Sequence, residues 1–202
     1  MSGDEYSTLA GPGSAQTRVL GSRFLGRALP VSDFREVSAR LEEQRKLHHD
    51  ATHWCWAARI GPDMNEKSSD AGEPRGTAGA PILSEIRKRD LSDCVVIVTR
   101  YFGGTKLGRG NLARAYGECA SLTLDDAPQT RKKVLSSCRV ICPFDDQSLV
   151  YHVAQRFQAA VEPKPATDHA VFVVRATPVA LTVISVTLIE ESRGRITVER
   201  QP

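Results

Sequence analysis

Cys94-Val-Val-Ile-Val-Thr-Arg-Tyr101, followed at once by Phe-Gly-Gly-Thr-Lys-Leu-Gly-Arg-Gly110, is the stretch on which the fold turns. Its continuous apolar run, closed by Gly103-Gly104, reads as the clearest strand in the chain. From Asn111 the pattern changes to helical spacing, with Leu112, Tyr116, Cys119 and Leu122 set for one buried face.

Upstream of this unit, 19–28 mixes apolar and small residues around Arg23 and reads as a first strand. A helix follows: Ser32 or Asp33 can cap it, Glu36 stands three past Asp33 as in a capping box, and Phe34, Val37, Leu41 and Leu47 fall near one face. His53 to Ile60, with two tryptophans, reads as a second strand. Residues 61–80 offer almost nothing to bury and read as a long loop, a length that in compact domains accompanies either work or disorder. Pro81 suits the first turn of a short helix to about Arg89. Residues 1–16 are rich in Ser, Gly and acid and read as a loose tail, so the first folded domain is set at 18–127 after a disordered 1–17.

Downstream, the stretch 125–130, with Pro128, is the best domain boundary, leaving 128–202 as a second domain. There 133–142 alternates as a strand, and Asp145 or Asp146 can cap a helix carrying Leu149, Val153, Phe157 and Ala160. An extended piece near Val161 precedes a strand at 170–175, and 196–198 ends the series. The β-branched segment 179–189 leaves helix and strand open by periodicity; its Thr177-Pro178 start and Gly194 stop favour helix. The order β-α-β-β-α-β is a ferredoxin-like, split βαβ layout, and the whole chain is α+β.

Length and composition agree. Two hundred and two residues accommodate one large or two small domains, and 41% hydrophobic with 25% charged residues suits a cored protein. The longest apolar runs are far short of the roughly 20 residues a membrane-spanning helix needs. The acidic start Met1-Ser-Gly-Asp-Glu5 is no secretory signal, and five irregularly spaced cysteines fit a reducing compartment, so the expectation is a cytoplasmic protein without a membrane partner. The pattern names no oligomeric state.

Charge is informative by region. The net +3 hides a neutral 1–127 and a basic remainder. Within the first part, 87–114 holds seven bases and only Asp90 and Asp93 as acids, an excess that attracts anions. The alternative is a solvated helix end with scattered surface charge. The glycines beside these bases do not make a Walker A loop, because Arg109-Gly110 stands where Lys-Ser/Thr is required. Gly108 to Ala113 fits G-x-G-x-x-A, but it starts some six residues after the strand, and Asp125 and Asp126 lie at the end of the helix. What survives is an anion at a helix N-terminus. His48, His49, His53 and Cys55 have no second ligand pair to complete a zinc site, so no metal and no cofactor are expected. Asp70 and Glu73, with His53, could serve as acid–base groups; capping and loop solubility are the plainer roles.

Two long motifs carry a resemblance. Ser69-Asp70-Ala-Gly72-Glu73-Pro74-Arg75-Gly76-Thr77-Ala-Gly79-Ala-Pro81, followed by Val98 to Gly110, resembles the YigZ/Impact family. Ser22-Arg23-Phe24, the group His48, Asp50-Ala51, His53 and Cys55, and Leu112 with Ala115-Tyr116-Gly117 match as well. The likeness covers about 18–125 strongly, and 130–200 looks like the small C-terminal domain of bacterial members. Ala71 stands where an acid is usual, which weakens any paired-aspartate mechanism. Arg109 and Asn111 replace a small residue and glycine, which strengthens an anion-binding one. The resemblance implies an N-terminal α/β sandwich similar to domain IV of elongation factor G and a second domain similar to its domain V. It also implies a role in translational control, with nucleic-acid binding suggested for bacterial members and no reaction established.

The leading expectation is therefore a non-catalytic protein that binds RNA or the ribosome through Arg100, Lys106, Arg109 and Arg114 around Gly103, Gly104, Gly108 and Gly110. Alternatives are a protein-binding regulator recognising its partner through 61–80, with its Asp70, Gly72, Glu73, Pro74, Gly76, Thr77 and Gly79 motif, and an enzyme using Asp70, Glu73 and His53.

Overall fold

The structure, a computed structural model, describes residues 5–200, and its contacts divide the chain into two units, Tyr6–Lys132 and one beginning at Lys133. In the first unit, β1 (Glu5–Leu9) pairs with β7 (Gln129–Lys133). The main sheet holds β2 (Gly13–Val19), β3 (Ser22–Pro30), β4 (His53–Ile60), β5 (Asn65–Ser69) and β6 (Cys94–Tyr101) in the order β2-β3-β6-β4-β5. Every pairing in it is antiparallel. Helices α2 (Gly79–Lys88) and α3 (Arg109–Asp126) cover one face, and α1 (Phe34–Leu47) packs on the other.

This layering explains the unbroken apolar run of β6. Val96 and Val98 enter the core under α2 and α3, whereas Val95 and Ile97 enter the core under α1, and all four are fully buried. A central strand covered on both sides has no face left for polar residues, so alternation disappears. Each such side chain contributes roughly 1.5–3 kcal/mol relative to exposure.

Several expectations need correction. The part of the 1–17 tail at 1–4 lies outside the described residues, but 5–9 and 13–19 are strands. β1 pairs with β7, and β2 lies close against α3: a Cβ on Gly13 would stand 2.4 Å from the Thr123 carbonyl oxygen. The boundary near 128 moves to Lys132, because β7 pairs with β1. The segment 61–80 is no continuous loop: β5 occupies 65–69, an edge strand whose polar residues needed no burial pattern. Helix α2 begins at Gly79 with Pro81 in its first turn, as expected, and α3 begins at Arg109, two residues ahead of the expected start. Leu122 is 45% exposed; Thr123 takes the inward position beneath the sheet, where Gly26 leaves room for it. Leu47 likewise projects outward from the last turn of α1. The cap of α1 divides its labour: Asp33 accepts from the Arg35 and Glu36 amides, and Glu36 reaches back to the Ser32 amide at 2.8 Å.

The second unit comprises β8 (Ser136–Cys142), α4 (Gln147–Arg156), β9 (Ala160–Lys164), β10 (Ala170–Ala176), α5 (Pro178–Glu191) and β11 (Thr197–Arg200). Its antiparallel sheet runs β11-β8-β10-β9, with β-α-β-β-α-β connectivity. The ambiguous β-branched segment is helix, started by Thr177, whose hydroxyl accepts from the Ala180 amide. Asp146 does not cap α4 with its side chain; its carboxylate accepts from Arg195 at 2.8 Å.

Candidate functional site

The turn 70–78 between β5 and α2 is built around Asp70. One carboxylate oxygen accepts from the Ala78 and Gly79 amides at 2.9 and 2.8 Å, and the other accepts from Gly76 at 2.8 Å. Ala78, at the cap position of α2, has no side chain able to do this, so Asp70 caps the helix from a distance. Burial pushes the Asp70 carboxyl up, but the three backbone donors outweigh it and hold it below the usual carboxylate range. Thr77 closes the turn by donating to the Pro74 carbonyl at 2.6 Å. Gly79 passes so close to Ser69 that a Cβ would meet its backbone at 2.9 Å. Gly72 and Gly76 sit at positive φ, and Pro74 is exposed at the tip.

This turn delivers Glu73 into the interior. Its Oε1 accepts from Arg100 Nη1 at 2.6 Å and from the Tyr116 hydroxyl at 2.8 Å, and its Oε2 lies 3.8 Å from His53 Nε2. The other Arg100 amine donates to Ser22 Oγ at 3.1 Å, while Arg100 Nε has no partner. Glu73 and Arg100 side chains are only 4% and 6% exposed. Cys55 completes the cluster, its thiol 3.0 Å from the Asp70 carbonyl oxygen and 3.3 Å from the Tyr116 hydroxyl oxygen. Burial pushes that thiol up to about 12, and burial together with Cys55 and Glu73 pushes the Tyr116 phenol upward. His53 is anchored through Nδ1, 2.9 Å from the Ala71 carbonyl. The cluster ties the 70–78 turn to β3, β4, β6 and α3.

Arg100 is therefore corrected. It was expected on an anion-binding surface, yet it lies inside, matched by a carboxylate. The same accounting changes the whole basic segment. Arg87 pairs with Glu66, Lys88 with Glu85, and Arg89 with Asp125 and Glu85. Four of the seven bases are thus offset by acids outside 87–114, while Asp90 and Asp93 pair with Arg59 and Lys132. Lys106, Arg109 and Arg114 are exposed and have no ion-pair partner within 4.0 Å among the described residues. The apparent excess is real at these three positions only.

Lys106 and Arg109 line a cavity of about 270 Å³ with Pro74, Phe102 and Leu112, and Glu73 and Arg100 also border it. Phe102 is 47% exposed, and its ring lies 5.4 Å from the Arg100 guanidinium carbon. Arg109 donates to the Arg75 carbonyl at 2.9 Å, bridging the two loops. Arg114 lies farther along α3, outside the lining. The glycines divide in role. Gly103 is a packing residue, since a Cβ there would lie 1.9 Å from the Gly21 carbonyl carbon. Gly104 and Gly108 have positive φ, and Gly110 has open space above it at the start of α3, whose cap residue Gly108 supplies no side chain.

Of Asp70, Glu73 and His53, the structure brings two together: Glu73 Oε2 lies 3.8 Å from His53 Nε2, whereas the Asp70 carboxylate is turned to the Gly76, Ala78 and Gly79 amides. The Asp70 carboxylate faces α2, and Glu73 faces Arg100 and Tyr116. Ser22 and Tyr116, the partners of Arg100 and Glu73, were missed as site residues although both stand within the quoted motifs; a buried ion pair's need for extra hydrogen bonds was the signal.

Fold and site together define a two-unit α+β protein with a basic cavity between two glycine-rich loops. The Impact N-terminal domain family matches residues 20–124, and the chain belongs to the IMPACT family. It is 40% identical over 131 residues to IMPACT family member YvyE of Bacillus subtilis (strain 168), covering 64% of this chain and 60% of that protein. It is 32% identical over 138 residues to IMPACT family member YigZ of Escherichia coli (strain K12), covering 67% and 68%. A Haemophilus influenzae member is 28% identical over 88% of both chains. A crystal structure described as that of an hypothetical protein superposes with a TM-score of 0.79 at 25% identity, covering 98% of each chain. Among the described residues no helix is long and apolar enough to cross a membrane.

Proposed function

We propose that the chain is a cytoplasmic, non-catalytic regulator associated with translation that binds RNA, free or in the ribosome, through the cavity between 73–75 and 102–112. The observation that carries this reading is the survival of Lys106 and Arg109 in the cavity lining, with Arg114 farther along α3, as unpaired bases at the start of that helix. Helix N-termini favour phosphate, and an exposed aromatic such as Phe102 offers a stacking surface for an unpaired base. The similarity to domains IV and V of elongation factor G that the family resemblance implies favours a ribosomal setting for this contact.

The test is the affinity of the intact protein for single-stranded RNA, compared with the Lys106→Ala/Arg109→Ala/Arg114→Ala variant. All three side chains are exposed, so the variant is expected to fold. A loss of tenfold or more, at least about 1.4 kcal/mol, supports the reading. Unchanged affinity contradicts it.

A further inference from the structure

The main sheet has a second charged surface that neither the motifs nor the cavity absorbs. Helix α1 packs over β4 and β6, leaving the β2–β3 side of that face without a covering helix. Strand alternation puts Ser14, Gln16 and Arg18 of β2 on this face together with Arg23, Leu25 and Arg27 of β3. The register sets Arg18 directly opposite Arg23, Gln16 opposite Leu25, and Ser14 opposite Arg27. Arg23 in turn pairs across to Tyr101 of β6, and its guanidinium carbon sits 4.3 Å above the Tyr101 ring.

Like charges directly opposite each other on antiparallel strands are destabilising. No acid within 4.0 Å relieves this pair: Arg18, Arg23 and Arg27 have no ion-pair partner among the described residues. The neighbouring carboxylates are engaged elsewhere: Asp50 accepts from the Tyr101 hydroxyl at 3.2 Å, and Asp126 accepts from the Ser14 amide at 2.8 Å. Beside the arginines a groove of about 580 Å³ runs between β2–β3 and the last turn of α1, where Gln44, Leu47 and His48 line it. Leu47 is 69% exposed, and Leu25 is half-buried at the groove floor.

We propose that this open sheet face is a track for single-stranded RNA, separate from the loop cavity. Guanidinium forks at Arg18, Arg23 and Arg27 match phosphate oxygens, and the repulsion between Arg18 and Arg23 is relieved when a phosphate lies between them. Gln16, Gln44 and His48 present amide and imidazole groups to base edges, while Leu25 and Leu47 meet base faces. A duplex keeps its base faces stacked inside and offers only phosphates, so the apolar part of the groove selects unpaired strands. The inference shares the ligand class of the proposed function but none of its residues.

The test titrates an oligouridylate and an RNA duplex of equal length into three intact chains: wild type, Arg18→Ala/Arg23→Ala/Arg27→Ala, and Lys106→Ala/Arg109→Ala/Arg114→Ala. Thermal melts confirm that each folds, since every replaced side chain reaches solvent. The expected result is a tenfold or larger loss of oligouridylate affinity in the sheet-face variant, with a salt slope shallower by about 2, near 0.7 per lost phosphate contact. A sheet-face variant that binds like wild type overturns the track, even if the loop variant is impaired and the cavity reading stands. Loss in the sheet-face variant with an intact loop variant supports the track and overturns the cavity. A duplex bound as tightly as oligouridylate overturns the selection for single strands, and a wild type that binds neither overturns both readings.

Discussion

Arg100 donates to Glu73 at 2.6 Å with both side chains nearly excluded from water, so the most basic-looking strand end of the sequence is internally neutralised. The pair persists inside because Tyr116 and Ser22 satisfy further groups on each partner. Removing one member leaves the other buried and unmatched.

Glu73→Ala or Arg100→Ala is therefore expected to destabilise the first unit by about 3–5 kcal/mol. Urea unfolding of each variant measures this, and a loss below about 1 kcal/mol contradicts the buried pair as described.

Asp70 gives a pH-dependent prediction. Its folded-state pKa is depressed, so its stabilising contribution is present above the unfolded value near 3.9 and is lost as pH falls through the folded one. Asp70→Ala should cost about 2 kcal/mol at neutral pH, in the range of a lost helix cap. The gap between wild type and variant should narrow steadily under acid. A gap that is constant down to about pH 2 would show that the carboxylate is not the capping group.

Gly26→Ala tests the closeness of β3 to α3. The added Cβ would fall 1.8 Å from Thr123 Oγ1 and 3.1 Å from Cys119 Sγ. A loss of about 1–3 kcal/mol or more is expected, partly recovered in Gly26→Ala/Thr123→Ala. Equal instability of single and double variants contradicts the clash.

The cysteines provide a further check. All five are buried, and burial raises the Cys55 and Cys94 thiols to about 12 and Cys119 to about 11. An alkylating reagent at about pH 8 should leave the native protein unmodified and label it only on unfolding. Rapid labelling of Cys55 in the folded state contradicts its place in the cluster.

The fold was legible where periodicity or punctuation was strong. The run in β6, the cap of α1 and the Thr177-Pro178 start of α5 each carry a local signal that packing reinforces. Strand β5 escaped because an edge strand needs no apolar face, and 5–19 escaped because small and polar residues suit an edge strand such as β2, or a short pair such as β1 with β7, as well as they suit a tail. The candidate site was legible as a set of positions but not as a set of roles. Sequence spacing does not say that Glu73 turns inward to meet Arg100, that Gly103 serves packing against Gly21, or that Arg87 and Arg89 reach Glu66 of β5 and Asp125 of α3. The arginines of β2 and β3 were overlooked because they are spread over a region of zero net charge; their alternation along two adjacent strands was the available sign.

The central claim is that Lys106, Arg109 and Arg114 are free to meet phosphate, whereas Arg87 and Lys88 are not. Measuring RNA affinity against salt from about 50 to 200 mM tests it most directly. Replacing the first three by alanine should make the slope shallower by about 2 for single-stranded RNA. Arg87→Ala/Lys88→Ala, which removes two ion-paired bases, should leave it unchanged. Equal reductions in both variants, or none in either, would contradict the division of charge on which the proposed function rests.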